Sequence, residues 1–171
     1  MKRILVLGCS GSGKTCLALT MSEILHLPVV HLDSYYWQPG WQSTPPEIWQ
    51  QIVTELCAQE NWIMDGNYHS SLSSRKARAD TVVYLEASRW KCFRRILDRR
   101  LRFHGRSRPD LGPDCPEQID REFIRWIWNF NKNIRPLVFD ILQENSHIDF
   151  YHLHNEKEIS RFLRELKDNA G

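Results

Sequence analysis

Eight residues near the start of the chain combine glycines, a lysine and a hydroxyl side chain at a spacing suited to phosphate. The stretch GCSGSGKT fits the pattern G-x-x-x-x-G-K-[ST] of a phosphate-binding loop, with an apolar run before it and a helical pattern after it. Its glycines would let backbone N–H groups and a helix N-terminus close around an anion. Lys14 would reach the β- and γ-phosphates of a nucleotide, and the Thr15 hydroxyl would bind Mg²⁺. The expected nucleotide contacts are Gly8, Cys9, Ser10, Gly11, Ser12, Gly13, Lys14 and Thr15.

Two carboxylates stand where apolar runs end. Asp33 closes the run VVHLD, and Asp65 closes the run WIMD. Beside a phosphate loop, one such acid can organise Mg²⁺, while the other binds an attacking hydroxyl or accepts its proton. Either acid alone could equally be a turn former or a helix cap. Two acids at strand ends next to the same loop favour a functional pair.

Four large aromatic residues follow the first of these acids in HLDSYYWQPGW, residues 31–41. Such a loop could be a lid folded onto the core or the wall of a pocket. Because it continues directly from Asp33, we expect some of its rings to stack on a flat or apolar-faced acceptor and the rest to pack on the next helix. The four rings are Tyr35, Tyr36, Trp37 and Trp41. The expected acceptor pocket is Asp33, Tyr35, Trp37, Trp41 and Asn67.

Arginines are dense in RRILDRRLRFHGRSRPD, residues 94–110, which holds seven of them. Phosphoryl transfer needs cations over the oxygens on which charge develops. The breaker-rich part HGRSRPDLGPD is typical of a lid that could bring arginines there. A nucleic-acid-binding stripe and a solvated helix face are the alternatives. The candidate arginines are Arg99, Arg106, Arg108 and, from the next helical segment, Arg125.

Strands and helices alternate along the chain. Short apolar runs predict strands over residues 3–8, 29–33, 62–65, 81–86 and 148–153. Helical spacing predicts helices over residues 14–26, 46–60, 90–103, 116–143 and 156–167. The helix over 116–143 is expected to bend or break near Pro136.

This alternation predicts an α/β fold in which one parallel sheet has helices packed against it. Ligands of such folds bind at the carboxyl ends of the strands. That rule selects Gly8, Asp33, Asp65, Glu86 and the stretch after Leu153 as the polar positions of a site.

Composition narrows the class of protein. A chain of 171 residues, 42% of them hydrophobic, suits one compact domain. A net charge of +2 gives no general argument for nucleic acid or an anionic membrane as a partner. Five cysteines without a C-x-x-C pair predict neither a disulfide framework nor a cysteine-based zinc site. The apolar run before Gly8 is too short for a signal peptide or a membrane span. We therefore expect a cytoplasmic protein. Trp126, Trp128 and Phe130 cannot all share one helical stripe, so some of this aromatic surface could border the site or the second subunit of a homodimer.

Together, these motifs resemble the adenylate-kinase-like branch of the P-loop kinases. The segments GCSGSGKT, HLDSYYW, WIMDGNY, ADTVVYLEASRWKCFRRILDR and RSRPD follow that family's order and span nearly the whole chain. WIMDGNY is similar to the Asp-Gly segment that ends the third strand of adenylate kinases, and HLDSYYW to the strand-end acid of uridine, nicotinamide riboside and shikimate kinases. The combination of HLD, WxPGW, DGNY and a late WIWxF most resembles the group named DNA topology modulation proteins, a name that describes a phenotype and not a reaction.

The resemblance implies a three-layer P-loop NTP hydrolase/kinase fold with a five-stranded parallel sheet of order 2-3-1-4-5, helices on both faces, and a short arginine-rich lid. One domain would cover residues 1–171, with an acceptor-side insertion at 34–61 and the lid at 104–116. ATP and Mg²⁺ would be the cofactors. Asp33 would meet the acceptor, while Thr15 and Asp65 would organise the metal and its waters.

The chain departs from adenylate kinases in two places. Their DGFPR is DGNYH here, so that arginine is missing, and Arg75 or Arg78 could replace it. The threonine and arginine pattern that binds AMP after the first helix is absent, which argues against AMP as the acceptor.

Three functions fit these residues to different degrees. The first is an ATP-dependent kinase that transfers the γ-phosphate to a nucleoside, a nucleotide or another ring compound. The second is a nucleotide-dependent regulator linked to DNA topology, without small-molecule turnover, and the net charge of +2 lends it little support. The third is a structural P-loop that binds no nucleotide. The sequence argues against it because it contains Lys14, Thr15, Asp33 and Asp65.

Overall fold

The computed structural model describes residues 1–103, 110–112, 114–116, 118–143 and 148–170. Its strands in chain order are β1 Arg3–Gly8, β2 Val29–His31, β3 Trp37–Gln38, β4 Gln42–Ser43, β5 Trp62–Asp65, β6 Thr81–Leu85 and β7 Asp149–Leu153. Its helices are α1 Lys14–Leu25, α2 Leu32–Tyr36, α3 Pro46–Ala58, α4 Leu72–Lys76, α5 Arg89–Arg102, α6 Arg121–Asn133, α7 Arg135–Gln143 and α8 Glu156–Ala170.

Five strands form one parallel sheet in the order β2-β5-β1-β6-β7. They are the strands predicted from the apolar runs, and their order is the predicted 2-3-1-4-5. Parallel neighbours need long crossover connections, which the helices supply. The predicted α/β fold class is therefore confirmed.

Two hydrophobic layers cover the two faces of the sheet. Along β1, Ile4 and Val6 face a layer that includes α1 and α8, while Leu5 and Leu7 face a layer that includes α3, α4 and α7. All four side chains are completely buried. Burying an aliphatic side chain of this size stabilises a fold by about 1.5–3 kcal/mol. A strand buried on both faces needs a continuous apolar run, which explains why such runs located the central strands.

The second strand is shorter than predicted. It ends at His31, and the short helix α2 begins at Leu32, so Asp33 lies in the first turn of a helix and not at the end of a strand. Ser34 Oγ donates to the His31 carbonyl oxygen over 2.7 Å. An acid in the first turn also interacts favourably with the helix dipole. The apolar run VVHL conceals this boundary because Leu32, the first residue of α2, is as buried as a residue of a core strand.

The helix predicted over residues 116–143 starts later in the structure than expected, whereas its expected break near Pro136 is confirmed. Helix α6 begins at Arg121, where Asp120 Oδ1 accepts from the Phe123 N–H over 2.7 Å and caps the helix. The helical run is interrupted at Ile134, two residues before Pro136, and α7 continues from there.

A hairpin on the predicted acceptor side packs against the end of the predicted lid. Strands β3 and β4 pair antiparallel, a feature that the sequence analysis did not predict. The Gly40 N–H donates to the Asp114 carbonyl, and Trp41 Nε1 donates to the Pro116 carbonyl, both over 2.9 Å. The segment expected on the acceptor side and the end of the predicted lid are therefore in contact.

Candidate active site

The phosphate-binding loop joins the carboxyl end of β1 to α1. At Gly8, φ is +140°, and a Cβ would lie 2.5 Å from the carbonyl oxygen of Leu85. At Gly11, φ is +77°, and a Cβ would lie 2.6 Å from the carbonyl oxygen of Cys92. Neither position leaves room for a side chain, so glycine lets the loop lie directly against β6 and α5.

The two predicted metal-site residues are in direct contact. Thr15 Oγ1 donates to Asp65 Oδ2 over 2.6 Å. His31 approaches the same carboxylate, with 3.4 Å between its Nδ1 and Asp65 Oδ2. Asp65 is 7% exposed. A buried carboxylate, a partly buried hydroxyl and a partly buried imidazole thus form one cluster beside the phosphate-binding loop.

The neighbours of Asp65 keep it charged despite its burial. Burial alone would raise the pKa of this carboxyl, but the hydrogen bonds from His31 and Thr15 and the charge of Lys14 hold the pKa below its usual range. The hydrogen bond to Asp65 in turn raises the pKa of His31. An anionic carboxylate beside a hydroxyl offers the oxygen ligands that Mg²⁺ prefers.

Two side chains of the loop have polar atoms that suit a phosphate. Lys14 Nζ donates to the Cys9 carbonyl over 3.1 Å, which holds the ammonium at the loop. Ser12 Oγ is buried and has no hydrogen-bond partner among the described residues. An ammonium and an unpartnered hydroxyl beside a helix N-terminus fit the phosphates of a nucleotide.

The contacts of Asn67, which was predicted for the acceptor pocket, are with the phosphate-binding loop. Its Oδ1 accepts from the Gly8 N–H over 3.1 Å, and its Nδ2 donates to the Gly8 carbonyl over 2.8 Å. This pair of hydrogen bonds ties the segment after β5 to the end of β1. Asn67 therefore positions the first glycine of the loop.

Arg75 supports the turn after β5 from inside the protein. It is fully buried, and it donates to the carbonyls of Gly66, Asn67 and Tyr68. Burial lowers the pKa of its guanidinium to about 10. The suggestion that Arg75 replaces the arginine of DGFPR at the substrate is therefore wrong. The other candidate, Arg78, is exposed and bonds the carbonyl of Cys57 in α3.

The turn after β5 delivers a hydroxyl to Asp33. Tyr68 has a left-handed backbone with φ of +34°, a conformation that costs a bulky residue about 1–3 kcal/mol. Its hydroxyl donates to Asp33 Oδ1 over 2.6 Å. Burial and then the negative charge of Asp33 raise the pKa of Tyr68, so the phenol stays protonated and remains a donor. The Tyr68 hydroxyl thereby fixes one oxygen of the Asp33 carboxylate.

The aromatic residues after Asp33 divide between packing and exposure. The Tyr36 ring meets Trp37 and, in α3, Trp49 edge-on, at centroid distances of 5.0 and 5.1 Å. Trp37 also meets Trp41, at 5.4 Å. Tyr35 is 41% exposed. Tyr36 therefore packs on α3, as was expected for part of the set, and Trp37 links that packing to the hairpin.

Helix α5 brings to the phosphate-binding loop an arginine that the sequence analysis did not select. Arg95 Nη1 donates to the Ser12 carbonyl over 2.7 Å. Arg99 is four residues further along α5, so it shares that face of the helix. Arg125 is exposed on α6. Arg106 and Arg108 lie outside the described residues.

Three candidate residues were missed by the sequence analysis: His31, Tyr68 and Arg95. Arg95 could have been found, because it precedes Arg99 by one helical turn. His31 could have been selected had the end of β2 been placed correctly. Tyr68 carries no such signal, since its role depends on a contact with Asp33, 35 residues away in sequence.

The fold matches those of solved kinases. It resembles shikimate kinase from Acinetobacter baumannii in complex with shikimate, with a TM-score of 0.60 and 13% identity. The match covers 97% of this chain and 90% of the shikimate kinase chain. A gluconokinase from Sinorhizobium meliloti 1021 matches over 99% and 91%, with a TM-score of 0.54 and 16% identity. Deoxyadenosine kinase from M. mycoides with products dCMP and dCDP bound matches over 97% and 98%, with a TM-score of 0.55 and 14% identity.

These likenesses show that the chain has the fold of the P-loop kinases. No protein-family model matches the chain, and no curated protein matches it. Within the described part of the chain, the helices are too short or too polar to cross a bilayer.

Proposed function

We propose that this chain is an ATP-dependent phosphotransferase that moves the γ-phosphate of ATP to a hydroxyl of a small acceptor. The observation that carries the proposal is the 2.6 Å hydrogen bond between Thr15 Oγ1 and Asp65 Oδ2, because it pairs the last residue of a phosphate-binding loop with a buried carboxylate. The named structural neighbours, a gluconokinase, a shikimate kinase and a deoxyadenosine kinase, support it as proteins of the same fold.

The loop of residues 8–15 would hold the phosphates. Lys14 would exchange its contact with the Cys9 carbonyl for the β- and γ-phosphates, and Ser12 Oγ would gain a phosphate oxygen as partner. Thr15 and Asp65 would hold Mg²⁺ and its waters. The ion, when bound, neutralises charge that develops on the phosphates.

Asp33 would bind the acceptor hydroxyl and take its proton as the phosphorus–oxygen bond forms. The Tyr68 hydroxyl occupies Asp33 Oδ1, and a carboxylate has further lone pairs that can accept from the acceptor. Trp37 and Tyr35 would provide aromatic surface for stacking, and Trp41 would support them. This arrangement favours a flat or apolar-faced acceptor, such as a nucleoside or another ring compound.

Cations of α5 and the lid would stabilise the transferring group. Arg95 lies at the loop through the Ser12 carbonyl, and Arg99 shares its helical face. Arg106 and Arg108 of the lid and Arg125 of α6 are proposed for the same role on the basis of the sequence alone. Arginine suits this role because its planar fork can bind two phosphate oxygens at once.

Several wider expectations belong to the same proposal. They are one domain over residues 1–171 with an insertion at 34–61 and a lid at 104–116, and a cytoplasmic location; a homodimer is left open beside a monomer. The alternative function is that of a nucleotide-dependent regulator of DNA topology, and it rests on the resemblance of the sequence motifs to DNA topology modulation proteins. That alternative requires salt-dependent binding to DNA.

An ADP-release screen over nucleosides, nucleotides, sugars and ring polyols tests the proposal. The wild-type chain should release ADP with at least one acceptor, and Lys14→Ala should reduce that rate by at least about 100-fold, since removal of one charge-stabilising donor costs about that much. Bound ATP with no acceptor-dependent turnover, together with DNA binding that weakens with salt, would favour the regulator instead.

A further inference from the structure

Three side chains that commonly bind metals meet at the carboxyl ends of β6 and β7: Glu86, His152 and His154. One ligand atom from each lies within 4.8 Å of the other two. Position 86 and the stretch after Leu153 were selected by the strand-end rule, yet the proposed phosphoryl transfer uses neither.

The parallel pairing of β6 with β7 brings these residues together. Tyr84 is paired with His152, and the Glu86 N–H donates to the Leu153 carbonyl over 2.9 Å. The rings of Tyr84 and His152 lie 5.3 Å apart, so both side chains lie on the same face of the sheet. Glu86 and His154 each follow the last residue of their strand, and the Glu86 carboxylate reaches His152 Nε2. The two imidazole centroids are 3.9 Å apart. The cluster is thus set by the register of the sheet.

The separation of the Glu86 and His152 ligand atoms is close to that found around a tetrahedral transition-metal ion. Glu86 Oε2 and His152 Nε2 are 3.0 Å apart. Ligand bonds of about 2.0–2.1 Å to a tetrahedral Zn²⁺ place neighbouring ligand atoms about 3.3 Å apart. The side chains of Glu86 and His152 are 22% and 20% exposed, and His154 is exposed. An ion could therefore enter from the His154 side and replace a proton between the other two groups.

Arg135 holds the carboxylate in place. Its Nε lies 3.0 Å from Glu86 Oε2, at the start of α7. Hydrogen bonds of this kind orient ligands from outside the coordination shell, and the carboxylate keeps other lone pairs for an ion. The arginine also offsets the single negative charge of the cluster. Two imidazoles with one neutralised carboxylate favour zinc-class ions over Mg²⁺ or Ca²⁺.

We propose that Glu86, His152 and His154 form a binding site for one divalent transition-metal ion of the Zn²⁺ class. Three protein ligands leave a fourth position for water, as in zinc sites that remain open to small ligands. The site is separate in its residues from the proposed Mg²⁺ site at Thr15 and Asp65.

Calorimetric titration of the nucleotide-free full chain with Zn²⁺, and separately with Co²⁺, tests this site. Nucleotide is omitted because it chelates these ions, and excess Mg²⁺ is added to occupy the oxygen ligands of Thr15 and Asp65. The Cys16→Ser variant serves as the background, since Cys16 is the cysteine with an exposed thiol. One ion should bind per chain.

His154→Ala should weaken Zn²⁺ and Co²⁺ binding by at least about tenfold. The matched control is His69→Ala, which removes another exposed imidazole and should leave the affinity unchanged. His152→Ala should show the same loss as His154→Ala, but His152 packs on Tyr84, so the exposed His154 keeps the test valid if the His152 variant fails to fold. Equal affinities in His154→Ala and His69→Ala, with both variants folded, would overturn the proposal.

Discussion

The charge on Asp65 depends on a few neighbouring atoms. Its carboxylate is buried, and it is held ionised by hydrogen bonds from His31 and Thr15 and by the charge of Lys14. Without these partners, burial would favour the protonated acid, which binds Mg²⁺ poorly. The site therefore relies on His31 as well as on the residues of the phosphate-binding motif.

Replacement of His31 by glutamine should reduce stability in a pH-dependent way. The hydrogen bond to Asp65 raises the pKa of His31 in the folded state above the ordinary 6.5. The charged pair therefore stabilises the fold fully below pH 6.5 and loses this contribution as the pH rises through the raised pKa. In metal-free buffer, urea unfolding should show a loss of about 1.5 kcal/mol or more at pH 5.5 and a smaller loss at pH 9.

The exposed residue His69 provides the control for this comparison. His69→Gln should change the free energy of unfolding by less than about 0.5 kcal/mol at both pH values. A loss in His31→Gln that is the same at pH 5.5 and pH 9 would contradict an ion pair between His31 and Asp65.

Among the structural elements, the turn after β5 connects both halves of the proposed site. It supplies Asn67 to the loop, through Gly8, and Tyr68 to Asp33. Its left-handed backbone at Tyr68 is held by the guanidinium of Arg75. The geometry of the Asp33 carboxylate thus depends, through Tyr68, on a fully buried arginine.

Arg75→Ala should destabilise the protein strongly. The substitution leaves the carbonyls of three consecutive residues of the turn without their buried donor, and each unsatisfied group costs about 1–3 kcal/mol. We expect a total loss of about 3 kcal/mol or more in urea unfolding. The exposed Arg78 is the control, and Arg78→Ala should cost less than about 1 kcal/mol. Unchanged stability in Arg75→Ala, together with a raised KM for an acceptor, would instead indicate that Arg75 binds the substrate.

Trp37 joins the core around α3 to the β3–β4 hairpin through its contacts with Tyr36 and Trp41. Trp37→Ala should raise the KM for the acceptor by about tenfold or more, because stacking surface is lost, and should leave ATP affinity unchanged. Tyr35→Ala removes the other ring that the proposal assigns to stacking, so it should raise the same KM and also leave ATP affinity unchanged. Steady-state kinetics with each substrate varied in turn separates the two effects, and an equal loss for ATP and acceptor would exclude Trp37 from the acceptor side.

For the molecule as a whole, the sequence predicted the five strands of the main sheet and the phosphate-binding loop well. Continuous apolar runs located the strands because each central strand is buried on both faces. The loop is a local motif, so its residues are adjacent in any fold that forms it. Strand order came from the family resemblance, and it agrees with the structure.

The remaining features depend on tertiary contacts. Helices α2 and α4 have five residues each, too few to form without packing, so no local pattern reveals them. The contact of Arg95 with Ser12 spans 83 residues, and that of His31 with Asp65 spans 34. The register of the sheet and the packing of α5 bring these pairs together, and single-sequence patterns do not encode either.

Transfer of labelled phosphate tests the central claim most directly. The chain is incubated with Mg²⁺, ATP carrying ¹⁸O in its γ-phosphate, and a pool of nucleosides, sugars and ring polyols, and the products are analysed by mass spectrometry. We predict a labelled phosphate ester of one acceptor, formed by the wild-type chain and lost in Asp33→Asn, while both chains retain ATP binding. Label found in inorganic phosphate alone, or an ester formed equally by Asp33→Asn, would contradict the assignment of this site as a kinase centre.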